Sequence, residues 1–216
     1  SPNPATFQNA PGSMTFDWNT VCGHVRKRPY EVQLKVTDKP STGPSLVEFA
    51  TWEITVVGPA PTGLSTSSLS ARSMQLAWDN YSCSNADSIQ IWRRVGTYEL
   101  NVDECQLGMP PNTGYELVGK VPISQTNFVD DENGSGLNAG ANYCYRLVAE
   151  FPSSGADKSE SYVSAEACEI LLVDVPVITN VDVNRTSQAE GEIIVRWTPP
   201  YQIDAGMNPG PYKYDL

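Results

Sequence analysis

The sequence predicts an all-β protein made of β-sandwiches in tandem, and three observations support this class. Apolar and polar residues alternate in short runs such as 30–36, 52–56 and 74–78, the pattern of strands with one buried and one solvated face. No run of a dozen residues keeps apolar residues three and four apart without a Pro, Gly or Asn cluster. An alternating strand that ends in tryptophan occurs twice, at Trp78 and Trp197, which indicates a repeated module.

The composition limits the partners of the chain. Its 216 residues hold 14 Lys+Arg against 25 Asp+Glu, for a net charge of -11. Nucleic acid is excluded as a partner because phosphate binding needs a cationic surface. No apolar run approaches the ~18 residues needed to span a bilayer, so we expect no membrane insertion within this segment. Because the chain begins with Ser1, we expect a slice of a longer exported protein.

Proline-rich junctions divide the chain into three parts. They lie at Gly58-Pro59-Ala60-Pro61 and at Asp174-Val175-Pro176, where proline removes a hydrogen-bond donor and stiffens the chain. The predicted domains are residues 1–58, 59–174 and 175–216. Both linkers are short, so neighbouring domains should keep a limited range of angles.

The strands follow from the alternating runs and the turn residues between them. The first part contributes strands at 30–36 and 52–56, and the third part contributes one at 193–197. The central part takes seven strands, which we letter A, B, C, C′, E, F and G. Their predicted limits are 61–68, 74–79, 88–95, 115–121, 126–130, 142–151 and 161–170.

The stretch Leu137-Asn-Ala-Gly140-Ala-Asn-Tyr143 resembles the turn and F strand of a fibronectin type III domain. In that family the tyrosine forms a tyrosine corner, in which its hydroxyl bonds back to the preceding turn. Trp78 stands where the family has its core tryptophan of strand B. The resemblance covers the whole central part and implies a core that contains Trp78 and Tyr143, with Trp197 in the repeated module.

The flanking parts resemble incomplete immunoglobulin-like modules. Residues 1–58 are similar to the last two strands of PKD-like or cadherin-like domains, and residues 175–216 begin a second type III module. Half a sandwich buries too little apolar area to offset chain entropy. We therefore expect each half to be completed by a neighbouring chain, by the other half or by further residues of a longer protein.

A more particular resemblance covers most of the chain. It rests on Trp18-Asn-Thr-Val-Cys22, Arg28-Pro-Tyr30, Trp78-Asp-Asn-Tyr-Ser-Cys83 and Tyr143-Cys144-Tyr145-Arg146. These motifs resemble the region that precedes the sorting domain of gliding-motility-associated surface proteins, which gliding bacteria export by the type 9 system. The resemblance implies an extracellular spacer or adhesive surface and no catalytic residue.

The central part holds four of the five cysteines, namely Cys83, Cys105, Cys144 and Cys168. Four cysteines allow three pairings. We favour Cys83–Cys105, which spans strand C and its following loop, and Cys144–Cys168, which joins neighbouring strands F and G. Two disulfides favour a secreted or cell-surface protein. The alternative is four free thiols in a reducing compartment.

Two further expectations concern the cysteines. Because Tyr143 and Tyr145 face the core, Cys144 should face outward, and its bond should lie on the exterior of the sheet. Cys22 is expected to pair with a cysteine upstream of this chain.

Few residues are suited to chemistry. The single histidine, His24, forms a Cys-x-His pair with Cys22, but zinc needs about four ligands and the sequence has no second pair at ligand spacing. No Gly-x-Ser-x-Gly turn marks a hydrolase nucleophile. We expect no enzyme activity, no catalytic residue and no cofactor.

Two clusters are candidates for binding. Asp130, Asp131 and Asn133 offer oxygen ligands for calcium, although their spacing departs from that of an EF-hand and favours a solvated turn. The aromatic set consists of Tyr81, Trp92, Tyr98 and Tyr115. These side chains form either an exposed patch for a sugar or protein or caps at the ends of the sandwich.

The function predicted from these observations is a non-enzymatic spacer or adhesion segment of a large secreted surface protein, linked to gliding motility or surface attachment. Its partner would be a protein or a glycan on a surface. The alternatives are an accessory or carbohydrate-binding region of a secreted polysaccharide-degrading enzyme and a receptor-like ectodomain that binds a protein at an interdomain elbow. Fold alone does not choose among them.

Overall fold

The computed structural model describes residues 12–70, 72–101, 105–152, 158–171, 176–199 and 210–214. Within these residues the regular structure is strand, apart from a 3-10 turn at Cys22–His24. The predicted all-β class is confirmed. No helix in the described part of the chain is long and apolar enough to cross a membrane.

The strands are numbered in chain order. They are β1 Tyr30–Thr37, β2 Val47–Ile54, β3 Ser65–Ser70, β4 Ser73–Ala77, β5 Ser88–Val95, β6 Glu116–Pro122, β7 Asn127–Asp130, β8 Asn142–Phe151, β9 Ser159–Glu160, β10 Ala167–Ile170, β11 Val177–Thr186 and β12 Gly191–Thr198.

The central strands form a two-sheet sandwich. One sheet has the order β3-β4-β7, and the other has the order β10-β8-β5-β6 with β9 paired to β8. These are the groupings A-B-E and G-F-C-C′ in the lettering above, so the central part is an immunoglobulin-like sandwich of the fibronectin type III kind.

The core lies between the two sheets. The inner face of β8 supplies Tyr145 and Leu147, both fully buried. Trp78 and Tyr143 also belong to this core. The hydroxyl of Tyr143 accepts a hydrogen bond from the backbone N–H of Asn138 at 2.9 Å, which is the predicted tyrosine corner.

The predicted G strand is wrong as a continuous element, because it is broken between β9 and β10. Ser161 and Ser164 lie in the break, and their backbone N–H groups still bond to the carbonyls of Ala149 and Leu147. In return their hydroxyl oxygens accept hydrogen bonds from the N–H groups of Ala149 at 2.9 Å and Leu147 at 2.8 Å. Serine hydroxyls thus replace backbone carbonyls as acceptors along this edge, so the backbone N–H groups of β8 keep hydrogen-bond partners although no regular strand lies beside them.

The flanking strands form two separate antiparallel hairpins, β1–β2 and β11–β12. In the described residues the two hairpins do not complete each other. Each leaves apolar side chains exposed, such as Trp52 at 56% and Ile178 at 61%, as expected of half a sandwich. Trp197 is half-buried and contacts the ring of Tyr214 at 5.9 Å. The domain limits at residues 58 and 174 stay predictions.

Candidate functional site at the first joint

A disulfide bond between Cys22 and Cys83 holds the first hairpin to the central sandwich, with a Cα–Cα distance of 5.4 Å. Cys22 begins the 3-10 turn before β1, and Cys83 lies between β4 and β5. The two cysteines are 61 residues apart in sequence, on opposite sides of the predicted boundary at residue 58. We call residues 18–30, 56–62 and 78–87 the first joint.

This bridge corrects two predictions. Cys83 does not pair with Cys105, and Cys22 does not pair outside the chain. The physical reason is that Cys83 is 2% exposed within the core cluster, against which Cys22 and Val25 pack. Cys105 lies on the exposed surface instead. The second bridge, Cys144–Cys168, is as predicted, and these two cysteines are directly opposite each other on β8 and β10.

Hydrogen bonds reinforce the disulfide at the joint. The side-chain amide of Asn85 donates to the carbonyl of Cys22 at 3.0 Å. The hydroxyl of Tyr81 donates to the carbonyl of Pro59 at 2.7 Å. Burial raises the pKa of Tyr81 to about 12, so this hydroxyl keeps its proton at neutral pH and remains a donor.

The linker itself is part of the sandwich. Gly58 forms a parallel bridge with Ser161, and its carbonyl accepts a hydrogen bond from the N–H of Tyr162 at 3.2 Å. Val56, Gly58 and Pro61 are buried. The sequence predicts a short, stiff linker here, and the structure adds that the linker docks along the broken edge described above.

An aromatic cluster covers the hairpin side of the joint. The ring of Trp18 contacts His24 at 5.0 Å and Tyr30 at 4.7 Å between centroids. The guanidinium of Arg26 lies 3.4 Å from the centre of the Tyr30 ring, a cation–π contact. His24 Nδ1 accepts a hydrogen bond from the N–H of Val21 at 3.1 Å. Since the Cys22 sulfur is bonded to Cys83, the Cys-x-His pair does not offer a thiolate to a metal.

Replacing Gly58 with alanine should destabilise the joint by about 1–3 kcal/mol through overpacking. A Cβ atom there would lie 2.7 Å from Cζ of Phe151 and 2.8 Å from the Tyr81 hydroxyl oxygen. The buried Phe151 ring has little freedom to move aside. Urea denaturation measures the loss.

Gly23 is the matched control because a Cβ added there meets no atom within 4 Å. Gly23→Ala should therefore change the free energy of unfolding far less than Gly58→Ala. Equal effects of the two substitutions would contradict a tightly packed linker.

A second region of interest is the outer face of the sheet that contains β8, where several polar side chains are buried. Arg146 is 8% exposed, and its guanidinium donates to the carbonyls of Ser164 at 2.9 Å and Tyr98 at 3.0 Å. It also donates to the Tyr115 hydroxyl at 3.1 Å, and this hydroxyl bonds to Glu166. These bonds fasten the loop between β5 and β6 across the sheet.

Burial on this face corrects the expectation for Cys144. The residue lies outside the core cluster, but it is fully buried, and its sulfur lies beside the bonded Cys168 and the Glu166 carboxylate. Of the aromatic set, Tyr115 is buried, whereas Tyr81, Trp92 and Tyr98 are half-buried, so the choice between an exposed patch and caps of the sandwich stays a prediction.

A charge cluster occupies the same outer face near the end of β8. Glu150 accepts hydrogen bonds from Lys120 at 2.7 Å and Gln90 at 3.0 Å, and it also pairs with Lys158. Burial would raise the pKa of the Glu150 carboxyl, but the hydrogen bonds from both lysines and from Gln90 outweigh it. The pKa is lowered to about 2.

The lowered pKa predicts a pH-dependent contribution to stability. Ionised Glu150 stabilises the folded state above its ordinary pKa of 4.5, and this contribution is lost as the pH falls from there towards about 2. In urea denaturation, the wild type should exceed Glu150→Gln in stability near neutral pH, and the gap should close through this acidic range. Glu116→Gln, on the exposed start of β6, is the control. A gap that does not change with pH would contradict the assignment.

Of the calcium candidates, Asp131 and Asn133 are exposed, as expected of a solvated turn, whereas Asp130 is not. Asp130 is buried, and its carboxylate accepts hydrogen bonds from Arg93 at 3.0 Å and Tyr145 at 2.8 Å. Asp131 accepts a bond from the N–H of Gly134 at 3.1 Å. In the described residues, one group of potential ligands lies close enough to hold a metal, formed by Cys144, Glu166 and Cys168. Its two sulfurs are bonded to each other.

Comparison with known proteins finds similar solved structures at low sequence identity. No protein-family model and no curated protein match the chain. Among solved structures, it is similar to a crystal structure of domains from titin, with 19% identity and a TM-score of 0.38 over 64% of this chain and 40% of that one. It is also similar to the FN1-FN3 domains of chicken CNTN1, with 17% identity and a TM-score of 0.37 over 66% of this chain and 41% of that one. The chain thus spans less than half the length of each.

Proposed function

We propose that the chain is a non-enzymatic spacer segment of a large extracellular surface protein, with modules at residues 1–58, 59–174 and 175–216. The first joint carries this proposal. A linker that only connected two modules would not need a disulfide, the bridge from Gly58 to Ser161 and the hydrogen bond from Tyr81 to Pro59 to fix the orientation of one module against the other. Such a joint transmits orientation and force from one module to the next.

The extracellular setting is supported by the two disulfides, which persist in oxidising compartments. The acidic composition keeps such a segment soluble. The motifs around Trp18, Trp78 and Tyr143 support a place in a protein of gliding motility or surface attachment exported by the type 9 system. In that setting the segment would hold an adhesive module away from the cell, and the final partner would be a surface protein or glycan.

NMR spin relaxation of the backbone amides, measured on the intact chain, tests the spacer role. If the first joint is stiff, the backbone amides of β1–β2 and of β4, β5 and β8 should report one rotational correlation time. A shorter correlation time for β1–β2 alone would mean that the hairpin moves independently, and the proposal would fail.

A glycan array separates the spacer from a carbohydrate-binding accessory region. Tyr115 is buried and is therefore not free to stack on a sugar, so we expect no selective retention of any saccharide. Saturable binding to one defined saccharide would replace the spacer proposal with the accessory one.

A further inference from the structure

We infer that the Cys22–Cys83 bond is a load bypass that carries tension around the first hairpin and around the first two strands of the sandwich. This inference rests on the spacer function proposed above. It follows from the order of the bonded residues along the chain. Strands β1, β2, β3 and β4 all lie between Cys22 and Cys83.

Tension applied along the chain follows the shortest covalent path. A pull that arrives from residues before Cys22 crosses the disulfide to Cys83 and continues into β5. The enclosed loop, between cysteines 61 apart in sequence, is then never stretched, although it contains the hairpin and the linker. A second, smaller loop, between cysteines 24 apart, is excluded in the same way by Cys144–Cys168.

The enclosed hairpin needs this protection more than the core does. Within the part of the chain that the structure describes, strands β1 and β2 pair only with each other, and an isolated two-stranded hairpin is marginally stable in water. Strands β4, β5 and β8 are by contrast largely buried in the sandwich. Without the bond, a pull from the N-terminal side would act on the hairpin first and then on the linker at Gly58.

The bypass also sets how far the segment can extend. At about 3.5 Å per extended residue, the first loop withholds about 200 Å and the second about 80 Å of chain. Loss of the first disulfide would therefore convert a short, stiff segment into a much longer one under load.

Single-molecule force spectroscopy on the full chain, held by its two ends, tests the inference. The oxidised wild type should give no extension from residues 23–82. The double variant Cys22→Ala/Cys83→Ala should release about 200 Å more in total. About 120 Å of this, from residues 23–57, should come as an early event at lower force than unfolding of the sandwich, and the rest should come with β3 and β4, which belong to the sandwich. The variant Cys144→Ala/Cys168→Ala is the matched control and should add about 80 Å without the early event.

Three outcomes would overturn the bypass. The first is release of the full length by the oxidised wild type, which would mean that the bond does not carry load. The second is a double variant without the early event, which would mean that hydrogen bonds alone hold the hairpin and the linker. The third is wild type that is reduced after folding and shows no early event, which would assign the event of the double variant to a folding defect.

The bypass and the spacer role can fail separately. Selective saccharide binding combined with the expected force traces would leave the bypass in place and remove the spacer function. A single correlation time combined with full extension of the wild type would keep the spacer function and remove the bypass.

Discussion

Replacing Asp130 with alanine is expected to lower the free energy of unfolding by about 3–5 kcal/mol, the cost of removing one partner of a buried ion pair. Asp130 lies at the end of β7, in one sheet, and accepts hydrogen bonds from Arg93 and Tyr145 in the other. The side chains of Asp130 and Arg93 are 4% and 11% exposed. The substitution would leave a buried guanidinium and a buried hydroxyl without their shared acceptor, and urea denaturation at neutral pH measures the loss.

Electrostatics in this network agree with that expectation. Burial would lower the pKa of Arg93, but the charges of Asp130 and Glu132 outweigh it and raise the pKa. Burial, followed by the negative charge of Asp130, raises the pKa of the Tyr145 hydroxyl. The tyrosine therefore stays protonated and donates to the carboxylate.

Glu132 provides the matched control because it pairs with the same Arg93 guanidinium from the surface. Its side chain is 47% exposed, and exposed ion pairs contribute about 0–1 kcal/mol. Glu132→Ala should thus have a much smaller effect than Asp130→Ala. Similar losses from the two substitutions would show that the inward-facing pair does not tie the sheets together.

The tyrosine corner explains why the centre of the fold was predictable. The landmarks at Gly140 and Tyr143 fix where β8 begins, and the predicted limits 142–151 are those of the structure. A strand that alternates between core and outer face shows its period in the sequence, and strand C at 88–95 was predicted equally well. These elements depend on local patterns.

The outer face of the sheet was predicted less well because alternation does not distinguish water from covering protein. Arg146 and Glu150 occupy outward positions of β8, yet both are buried. Arg146 bonds to the carbonyls of Ser164 and Tyr98, and Glu150 bonds to Lys120 and Gln90. The alternation predicts which face of the sheet a side chain occupies. Whether that side chain is exposed or buried depends on segments that are remote in sequence.

The role of Asp130 was missed for the same reason. An acidic run before a glycine is typical of an exposed turn, and the residues after Asp130 are indeed exposed. The partner Arg93 is on a different strand, and its position near the end of β5 gives no local sign of the pair. The one available signal was an arginine at a position of β5 that should face the core.

The Cys22–Cys83 bond escaped prediction because the predicted boundary at residue 58 separated its two halves. The odd number of cysteines was a signal that the four central ones need not pair among themselves. The choice between Cys22 and Cys105 depends on how the turn at Cys22 packs against the sandwich, and that packing is a tertiary property.

Removing the Cys22–Cys83 bond with the double variant Cys22→Ala/Cys83→Ala is expected to lower the free energy of unfolding by about 4 kcal/mol, because the bond closes a long loop in the unfolded chain. The Cys144–Cys168 bond joins residues only 24 apart in sequence, so the Cys144→Ala/Cys168→Ala variant should lose about 3 kcal/mol. Urea denaturation of the oxidised proteins measures both values. Alanine is preferred to serine because Cys83 and Cys144 are buried, and a serine there would add an unpaired hydroxyl.

The order of the two losses distinguishes a chain-entropy effect from a local one. Loop length predicts the larger loss for Cys22–Cys83, although Cys144–Cys168 is the more central bond and links two paired strands. A loss at the first joint below about 1 kcal/mol would mean that its bond adds little to the linker contacts already present. A loss of about 4 kcal/mol would instead show that closure of the long loop accounts for the stabilisation.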